Sequence, residues 1–395
     1  MGVTYQRTHP WITFSVQGLR EPLPELWAML GECQSKCEHI AGVPLPPKVA
    51  QELHRLYLAK GVLGTTAIEG NTLSEQEVLD HLRGQLSLPP SREYLAQEID
   101  NIVHGCNLIR GRVTDGSPFA INAENCELLN AIVLDKLQLA PEVLPGRIRS
   151  HSVGVFRYRG APAEDCRHLL NRLGTWLEGE DFQGPATLKV SFAIIRAIVA
   201  HLYLAWIHPF GDGNGRTARL VEFQILFSCG VPTSVAHLLS NHYNQTRSEY
   251  YRQLAYASES GGDIVNFIRY AVEGLLDGLR MQLKEIRKVQ HEITWRDYVH
   301  EQFQDRKSVT HRRRRDLVLA LSLASEPVKF SKLPDLSRNC MLAYHAKTRM
   351  TLQRDVNELL EMELIVRRSE GYSANKQIIE AFLPVKAGLE KLSAG

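Results

Sequence analysis

The chain has 395 residues, of which 44% are apolar and 23% charged, and its formal net charge is +2. These are ordinary values for a globular protein, and the length predicts two or three domains. The first 14 residues contain no apolar signal-peptide core, so we expect a protein that is not exported. The seven cysteines follow no disulfide or metal-ligand spacing, which indicates free thiols in a reducing cytoplasm. The most apolar stretch, around 190–207, is interrupted by Arg196 and His201, so it predicts a buried core helix and no membrane span.

The first 110 residues predict mostly helices. An imperfect apolar stripe covers 49–63, and helical spacing resumes over 93–109. Ser74 and Glu77 form the Ser-x-x-Glu pattern of a capping box, which predicts a helix start at that point.

Beyond residue 110 the pattern stays chiefly helical. Residues 122–139, 164–177 and 248–283 predict further helices, and the alternation over 152–158 predicts a short strand or hairpin. The expected fold class is therefore mainly α.

The chain is organised around a glycine-dense turn between two apolar runs. The first run, 188–207, leads to His208, and the second, 217–229, stops at Gly230, which predicts a helix C-cap. Three glycines within five residues let backbone N–H groups converge at a helix start, where an anion is favoured. Arg216 and Arg219 are three residues apart and therefore leave the same helix face. The pattern predicts a phosphate site beside a proton acceptor.

The same turn carries a family resemblance, through the stretch His208-Pro209-Phe210-Gly211-Asp212-Gly213-Asn214-Gly215-Arg216-Thr217-Ala218-Arg219. It resembles the signature of Fic proteins, His-Pro-Phe-x-Asp/Glu-Gly-Asn-Gly-Arg-x-x-Arg, and every fixed position is filled. The resemblance implies a Fic-type helical core with a short β-hairpin flap. It also implies transfer of AMP from ATP to a Ser, Thr or Tyr hydroxyl of a target protein or of the chain itself.

The resemblance assigns each residue of the turn a role. His208 would be the general base, since an imidazole pKa of about 6.5 suits proton removal at neutral pH. Asp212 would hold Mg²⁺, a hard cation that prefers carboxylate and phosphate oxygens. The phosphates would be cradled by Gly213, Asn214 and Gly215 and neutralised by Arg216 and Arg219.

An upstream segment resembles the inhibitory motif Ser/Thr-x-x-x-Glu-Gly/Asn of many Fic proteins. Its residues are Thr65, Glu69 and Gly70, and the resemblance implies that Glu69 pairs with Arg219 where the γ-phosphate should bind. The alternative is an ordinary helix end with a glycine cap. In some relatives the same glutamate also serves removal of the nucleotide.

Two further segments resemble substrate-binding parts of the family. Residues 145–149 with 152–158 look like the flap that pins the target by strand addition, which involves Val153, Gly154, Val155 and Phe156. Tyr250 and Tyr251 match a tyrosine pair near the nucleotide base, and Ser258 stands where the family often has Asn. The alternative for the tyrosines is amphipathic helix packing.

The C-terminal part differs in charge from the rest. From residue 301 onward, 17 Lys and Arg stand against 12 Asp and Glu, and the run 312–315 is all arginine. Helical segments at 317–324, 330–336 and 348–360, then a strand-like 364–366 and a turn at 369–372, resemble a winged helix. Such a module could bind DNA phosphates through 312–315 and bases through Arg349, Gln353 and Arg354. The alternatives are a protein-interaction module or a solvated charge run.

We therefore predict four parts: an N-terminal helical region with the inhibitory helix (1–110), a Fic catalytic core (111–290), a helical connector (291–310) and a winged-helix domain (311–395). The predicted function is that of a protein adenylyltransferase that is autoinhibited by Glu69. Its predicted partners are ATP and a target protein, and no association with a membrane is expected. DNA binding through residues 311–395 and homodimer formation stay open. The alternatives are a Fic enzyme that uses another donor or removes AMP, and a nucleotide-sensing DNA-binding transcription regulator.

Overall fold

The computed structural model describes residues 4–155 and 158–380. The chain divides into two compact units, residues 1–283 and 284–395. It is mainly helical, as predicted, with two short antiparallel hairpins in the described part. Phe156 of the predicted flap and residues 381–395 of the predicted C-terminal domain lie outside the described residues. In the first unit the helices are α1 (Tyr5–Thr8), α2 (Pro24–Gly42), α3 (Pro47–Ala67), α4 (Glu75–Leu82), α5 (Glu93–Thr114), α6 (Ala123–Val133), α7 (Cys166–Leu177), α8 (Lys189–Ile207), α9 (Asn214–Ser228), α10 (Thr233–Ala236), α11 (Leu238–Gln245), α12 (Arg247–Glu259) and the start of α13 (Val265–Gln302), which continues into the second unit.

Helix α8 is the centre of the first unit. Fifteen of its nineteen residues are buried, because it is apolar on every side and other helices surround it. The segment Ala186–Ile207 is long and apolar enough to cross a membrane, yet 83% of its most apolar window is buried inside this unit. The buried apolar side chains of residues 5–279 form one continuous core that includes helices on both sides of the predicted boundary at residue 110.

Local signals in the sequence locate several helix ends correctly. Ser74 accepts from the Glu77 amide while Glu77 accepts from the Ser74 amide, so the capping box is confirmed. Gly230 lies just beyond α9 with a φ of +90°, as a C-terminal glycine should. The helix expected over 122–139 ends earlier, at Val133. There the side-chain amide of Asn101 from α5 donates to the carbonyls of Val133 and Asp135, at 3.1 and 2.8 Å, and caps the helix end.

The predicted hairpin is present next to the end of α8. Strand β1 (Gly154–Val155) pairs with β2 (Tyr158–Arg159) in an antiparallel register that places Gly154 opposite Arg159. The Tyr158 hydroxyl donates to the carbonyl of Trp206 at 2.6 Å. The hairpin is thereby fixed to the last turn of the core helix.

The second unit has its own apolar core. After α13 it contains α14 (Val309–Leu321), α15 (Arg338–Tyr344) and α16 (Arg349–Glu361), and then the antiparallel strands β3 (Ile365–Arg368) and β4 (Gly371–Ala374). Two details differ from the sequence expectation. Helix α14 begins at Val309, so the arginine run lies inside it, and α15 is an additional helix after the short 3-10 segment Phe330–Leu336.

Candidate active site

His208 stands where α8 stops and the glycine-dense turn begins. Its φ and ψ are 49° and 59°, a left-handed conformation that is uncommon for a residue other than glycine. Its N–H donates to the Leu204 carbonyl at 3.0 Å, and Pro209 prevents the helix from continuing. Phe210 is fully buried and bridges to Ile148, so it anchors the turn from within the core. The chain therefore leaves α8 with a half-buried imidazole at the turn.

Two asparagines hold the turn in shape. The Asn214 side chain accepts from the Phe210 amide at 2.9 Å and donates to the Phe210 carbonyl at 2.8 Å. This closed pair occupies the side-chain amide of Asn214, so Asn214 offers an anion its backbone N–H. Asn130, fully buried on α6, donates to the Asp212 carbonyl at 2.9 Å and accepts from the Gly146 amide at 3.1 Å. Asn130 was not among the predicted site residues; its only signal in the sequence is an amide within an apolar helical pattern.

Helix α9 starts directly after Gly213, which has a φ of +75°. Gly213 has no side chain with which to cap the first turn of α9, so the N–H groups of that turn can face an anion. A Cβ on Gly213 would lie 2.9 Å from the Asn130 amide nitrogen, and this position therefore requires glycine.

Arg216 and Arg219 lie near this helix start with their side chains almost wholly buried. The Nη2 of Arg219 donates to the Thr65 carbonyl at 2.9 Å and to Glu69 Oε1 at 2.5 Å. Its Nε and Nη1 have no hydrogen-bond partner among the described residues. Since buried guanidinium donors are rarely left unpaired, these two suit an anionic ligand.

Glu69 lies in the turn that follows α3, and Gly70 completes that turn with a φ of +109°. The predicted pairing of Glu69 with Arg219 is present. A Cβ on Gly215 would lie 2.3 Å from Glu69 Oε1, so the carboxylate rests on the first turn of α9. Burial is the largest single influence and raises the pKa of Glu69, but the charge and hydrogen bond of Arg219, together with the charge of Arg216, hold the pKa below its usual value. An ionised carboxylate thus occupies the anion position of the turn.

The electrostatic surroundings keep His208 neutral. Burial, and then the charge of Arg149, lower the pKa of His208 to about 4, although Glu69 and Asp212 oppose the shift. The imidazole is therefore unprotonated at neutral pH, as a proton acceptor must be.

Arg149 connects the hairpin to the turn, a role that the sequence did not indicate. It is buried, and it donates from Nε to the His208 carbonyl at 2.8 Å and from Nη1 to the His151 carbonyl at 2.6 Å. It also donates to the Ala161 carbonyl on the far side of the hairpin. A Cβ on Gly160 would lie 2.8 Å from His208 Cβ. Gly160 therefore lies beside the His208 side chain, and its N–H donates to the carbonyl of Val153, the first residue of the predicted flap, at 3.0 Å.

The residues expected around the nucleotide base are mostly packed into the core. The Tyr250 hydroxyl pairs with His201 Nε2 at 2.8 Å, and its ring stacks on Tyr243 with centroids 4.9 Å apart. Ser258 is buried and donates to a carbonyl of its own helix. Tyr251 is half-buried. The alternative of helix packing, given for the tyrosine pair, therefore describes Tyr250 in this structure.

Asp212 is the residue of the turn that could hold a cation. Its side chain is 48% exposed, and Oδ1 accepts from the Gly213 amide at 2.5 Å and from Arg216 Nη2 at 3.1 Å. Across residues 4–155 and 158–380, no group of three or more His, Cys, Asp or Glu side chains could enclose a metal. A single exposed carboxylate fits Mg²⁺, which takes most of its ligands from water and substrate phosphates.

Residues 121–226 match the family model described as Fic/DOC family. Among curated proteins, the chain is similar to the protein adenylyltransferase fic-1 of Caenorhabditis elegans, with 32% identity over 238 residues, 57% of this chain and 40% of that protein. The protein adenylyltransferase Fic of Nematostella vectensis is 27% identical over 245 residues, 61% of this chain and 52% of that protein. The chain thus spans about half or less of these relatives.

Solved structures support the fold. A Fic family protein from Desulfovibrio desulfuricans G20 superposes with a TM-score of 0.55 at 22% identity, covering 92% of this chain and 95% of that chain. Residues 134–508 of C. elegans Fic-1 superpose with a TM-score of 0.53 at 24% identity, covering 67% of this chain and 73% of that chain.

Proposed function

We propose that this chain, whose residues 121–226 form a domain of the Fic family, is a protein adenylyltransferase that Glu69 holds inactive. One observation carries the proposal: a neutral imidazole, an uncapped helix start and a buried arginine with unpaired donors meet at one turn. The names of the similar curated proteins support the same reaction.

In the proposed reaction the triphosphate of ATP binds along the start of α9. The amides of Asn214 and Gly215 donate to phosphate oxygens, and that of Gly213 does so after giving up its bond to Asp212 Oδ1. Arg216 and Arg219 neutralise the charge of the outer phosphates. A target Ser, Thr or Tyr hydroxyl attacks the α-phosphorus while its proton passes to His208. The bond from the α-phosphorus to the bridging oxygen breaks, and pyrophosphate leaves. Such transfers depend mainly on positioning and charge neutralisation, which this turn supplies.

Asp212 is the residue that would hold Mg²⁺. When bound, the cation would neutralise phosphate charge and help to orient the donor. Arg216 would then exchange its contact with Asp212 for one with phosphate, since both partners present anionic oxygens to the same Nη2.

The inhibition by Glu69 follows from competition for one cation. Its carboxylate binds Arg219 and rests on Gly215, the position that the outermost phosphate needs. An ATP molecule that cannot reach Arg219 binds with its α-phosphate displaced from His208, which prevents in-line attack.

The test is incubation of the wild type, Glu69→Gly and Glu69→Gly/His208→Ala with labelled ATP, CTP, GTP and UTP and a cell lysate, followed by mass spectrometry of labelled proteins. We expect labelling from ATP to rise in Glu69→Gly and to vanish in Glu69→Gly/His208→Ala. Labelling that survives loss of His208 would refute the assignment of the base. Preferential labelling from another nucleotide would establish a different donor.

For the second unit we propose DNA binding, through a surface other than the arginine run. Arg313 and Arg314 bind the two oxygens of buried Asp355 at 2.7 and 2.8 Å, and Arg315 binds Asp316, so these three serve the fold. Buried ion pairs therefore describe Arg313 and Arg314 better than either phosphate binding or the alternative of a solvated charge run.

A different set of basic and amide side chains is exposed in the same unit. On α16 these are Arg349, Gln353 and Arg354, and on β3 they are Arg367 and Arg368. Within residues 4–155 and 158–380 none of these four arginines has a carboxylate partner. A helix face with arginine and glutamine beside a basic strand suits a DNA groove and its phosphates.

Fluorescence anisotropy of the full chain with duplex DNA at about 50 and 200 mM salt tests this surface. We expect affinity that falls steeply with salt and is largely lost in Arg349→Ala/Arg354→Ala. Arg312→Ala, which changes an exposed arginine on another helix, α14, is the control. Equal binding by both variants, or no binding by the wild type, would refute the surface.

A further inference from the structure

Arg216, the other arginine near the start of α9, has a carboxylate partner that the mechanism above does not use. Glu98, on α5, accepts from Arg216 Nη1 at 3.0 Å through Oε1. The two side chains are 15% and 5% exposed, so water screens the pair weakly. The partners are 118 positions apart in sequence, and only the packing of α5 against α9 brings them together.

Glu98 is itself held by a second contact. Asn71 Nδ2 donates to Glu98 Oε2 at 2.8 Å and to the Leu95 carbonyl at 2.9 Å, while Asn71 Oδ1 accepts from the Leu73 amide. The amide therefore has a fixed orientation, and its nitrogen faces the carboxylate. Both oxygens of Glu98 are committed, one to Arg216 and one to Asn71.

The geometry of Glu98 differs from that of the inhibitory carboxylate. Glu69 rests on Gly215 at the start of α9, where an anion would bind, and takes the Nη2 of its arginine. Glu98 takes the Nη1 of Arg216 and leaves Nη2 directed at Asp212 in the turn. A guanidinium held by one amino group can offer the other in a fixed direction, so less side-chain entropy is lost when phosphate binds.

We propose that Glu98 is a positioning residue for Arg216: it holds the guanidinium so that Nη2 faces the phosphate-binding turn, and Asn71 fixes Glu98 in that role. The inference deepens the proposed function and rests on it, because it assigns Arg216 to the outer phosphates. It also connects both arginines to one short turn, since Asn71 lies two residues after Glu69.

Calorimetric titration with Mg·ATP and with AMP tests the inference, because only ATP reaches the outer phosphate positions. We expect Glu98→Ala to weaken ATP binding about 10-fold, the size of one charge-assisted contact, and AMP binding less than about twofold. Glu98→Gln keeps an acceptor for Arg216 but loses charge and the bond from Asn71, so its effect should be intermediate. Asn71→Ala should also be intermediate. Asp100→Ala, which removes an exposed carboxylate of the same helix, is the control and should change neither affinity.

If Glu98 had a merely structural role, Glu98→Ala would lower the melting temperature and weaken the affinities for Mg·ATP and AMP equally. That outcome would overturn the inference. If Glu98→Ala does not fold, Glu98→Gln and Asn71→Ala test the inference instead. Unchanged ATP affinity in both of these variants would overturn it. The proposed function fails separately, when Glu69→Gly transfers no nucleotide to protein. In that case a selective loss of ATP affinity in Glu98→Ala would still support the role of Glu98 in a nucleotide sensor.

Discussion

Removing the carboxylate of Glu69 should activate the enzyme by an amount that the structure sets. The carboxylate meets Arg219 at 2.5 Å, and the two side chains are 31% and 1% exposed. A hydrogen bond to a charged group contributes about 1.5–3 kcal/mol, which corresponds to roughly 10–150-fold in kcat/KM if ATP must displace it. Because solvent reaches a third of Glu69, we expect the lower part of that range. Glu69→Ala isolates the carboxylate, since it avoids a second glycine beside Gly70.

The activated variant should also be less stable without nucleotide. Arg219 keeps only the Thr65 carbonyl among its described partners, and a buried guanidinium that loses its counter-ion costs stability. Bound Mg·ATP should compensate for the lost stability, so its addition should raise the melting temperature more in Glu69→Ala than in the wild type.

The assay is the initial rate of labelling of the protein itself and of lysate proteins over a range of ATP concentrations. Glu52→Ala is the matched control, because it removes a surface carboxylate from α3, the helix that leads to Glu69. Equal kcat/KM in Glu69→Ala and the wild type, together with inactive His208→Ala, would show that Glu69 is only structural.

Three further predictions follow from the same structure. Because the pKa of His208 is lowered to about 4, kcat/KM of the activated variant should be constant from about pH 6 to 8. It should fall only in more acidic solutions, which protonate the imidazole. An inflection near the ordinary histidine pKa of about 6.5 would contradict this. Gly215→Ala should show no increase in nucleotide transfer, and Mg·ATP should not raise its melting temperature, because the new Cβ fills the anion position. In the control Gly111→Ala the new Cβ meets open space, so this variant should bind ATP normally and gain about 1 kcal/mol of stability. Asp355→Ala leaves two arginines and the Tyr344 hydroxyl without their shared acceptor, so it should lower the free energy of unfolding of the second unit by about 3–5 kcal/mol in a denaturant titration; a change below about 1 kcal/mol would argue against this buried cluster.

The sequence by itself determined the features that depend on neighbouring residues. Four features rest on contacts between residues a few positions apart: the turn at His208 between α8 and α9, the shared face of Arg216 and Arg219, the capping box at Ser74 and the cap at Gly230. Such contacts follow from backbone geometry and residue type alone. The family resemblance added the pairing of Glu69 with Arg219, which are 150 positions apart.

Only the tertiary structure decided which distant side chains meet. Asn101 ends α6 early, and Arg149 joins the hairpin to the turn. Glu98 holds Arg216, and Asp355 takes two arginines away from the predicted DNA surface. Each of these polar groups satisfies a partner on another helix or loop, because a buried donor or acceptor without a partner would be costly. Those partners are set by how the helices pack around α8 in the first unit and by how α14 packs against α16 in the second, and no local pattern in the chain records that packing.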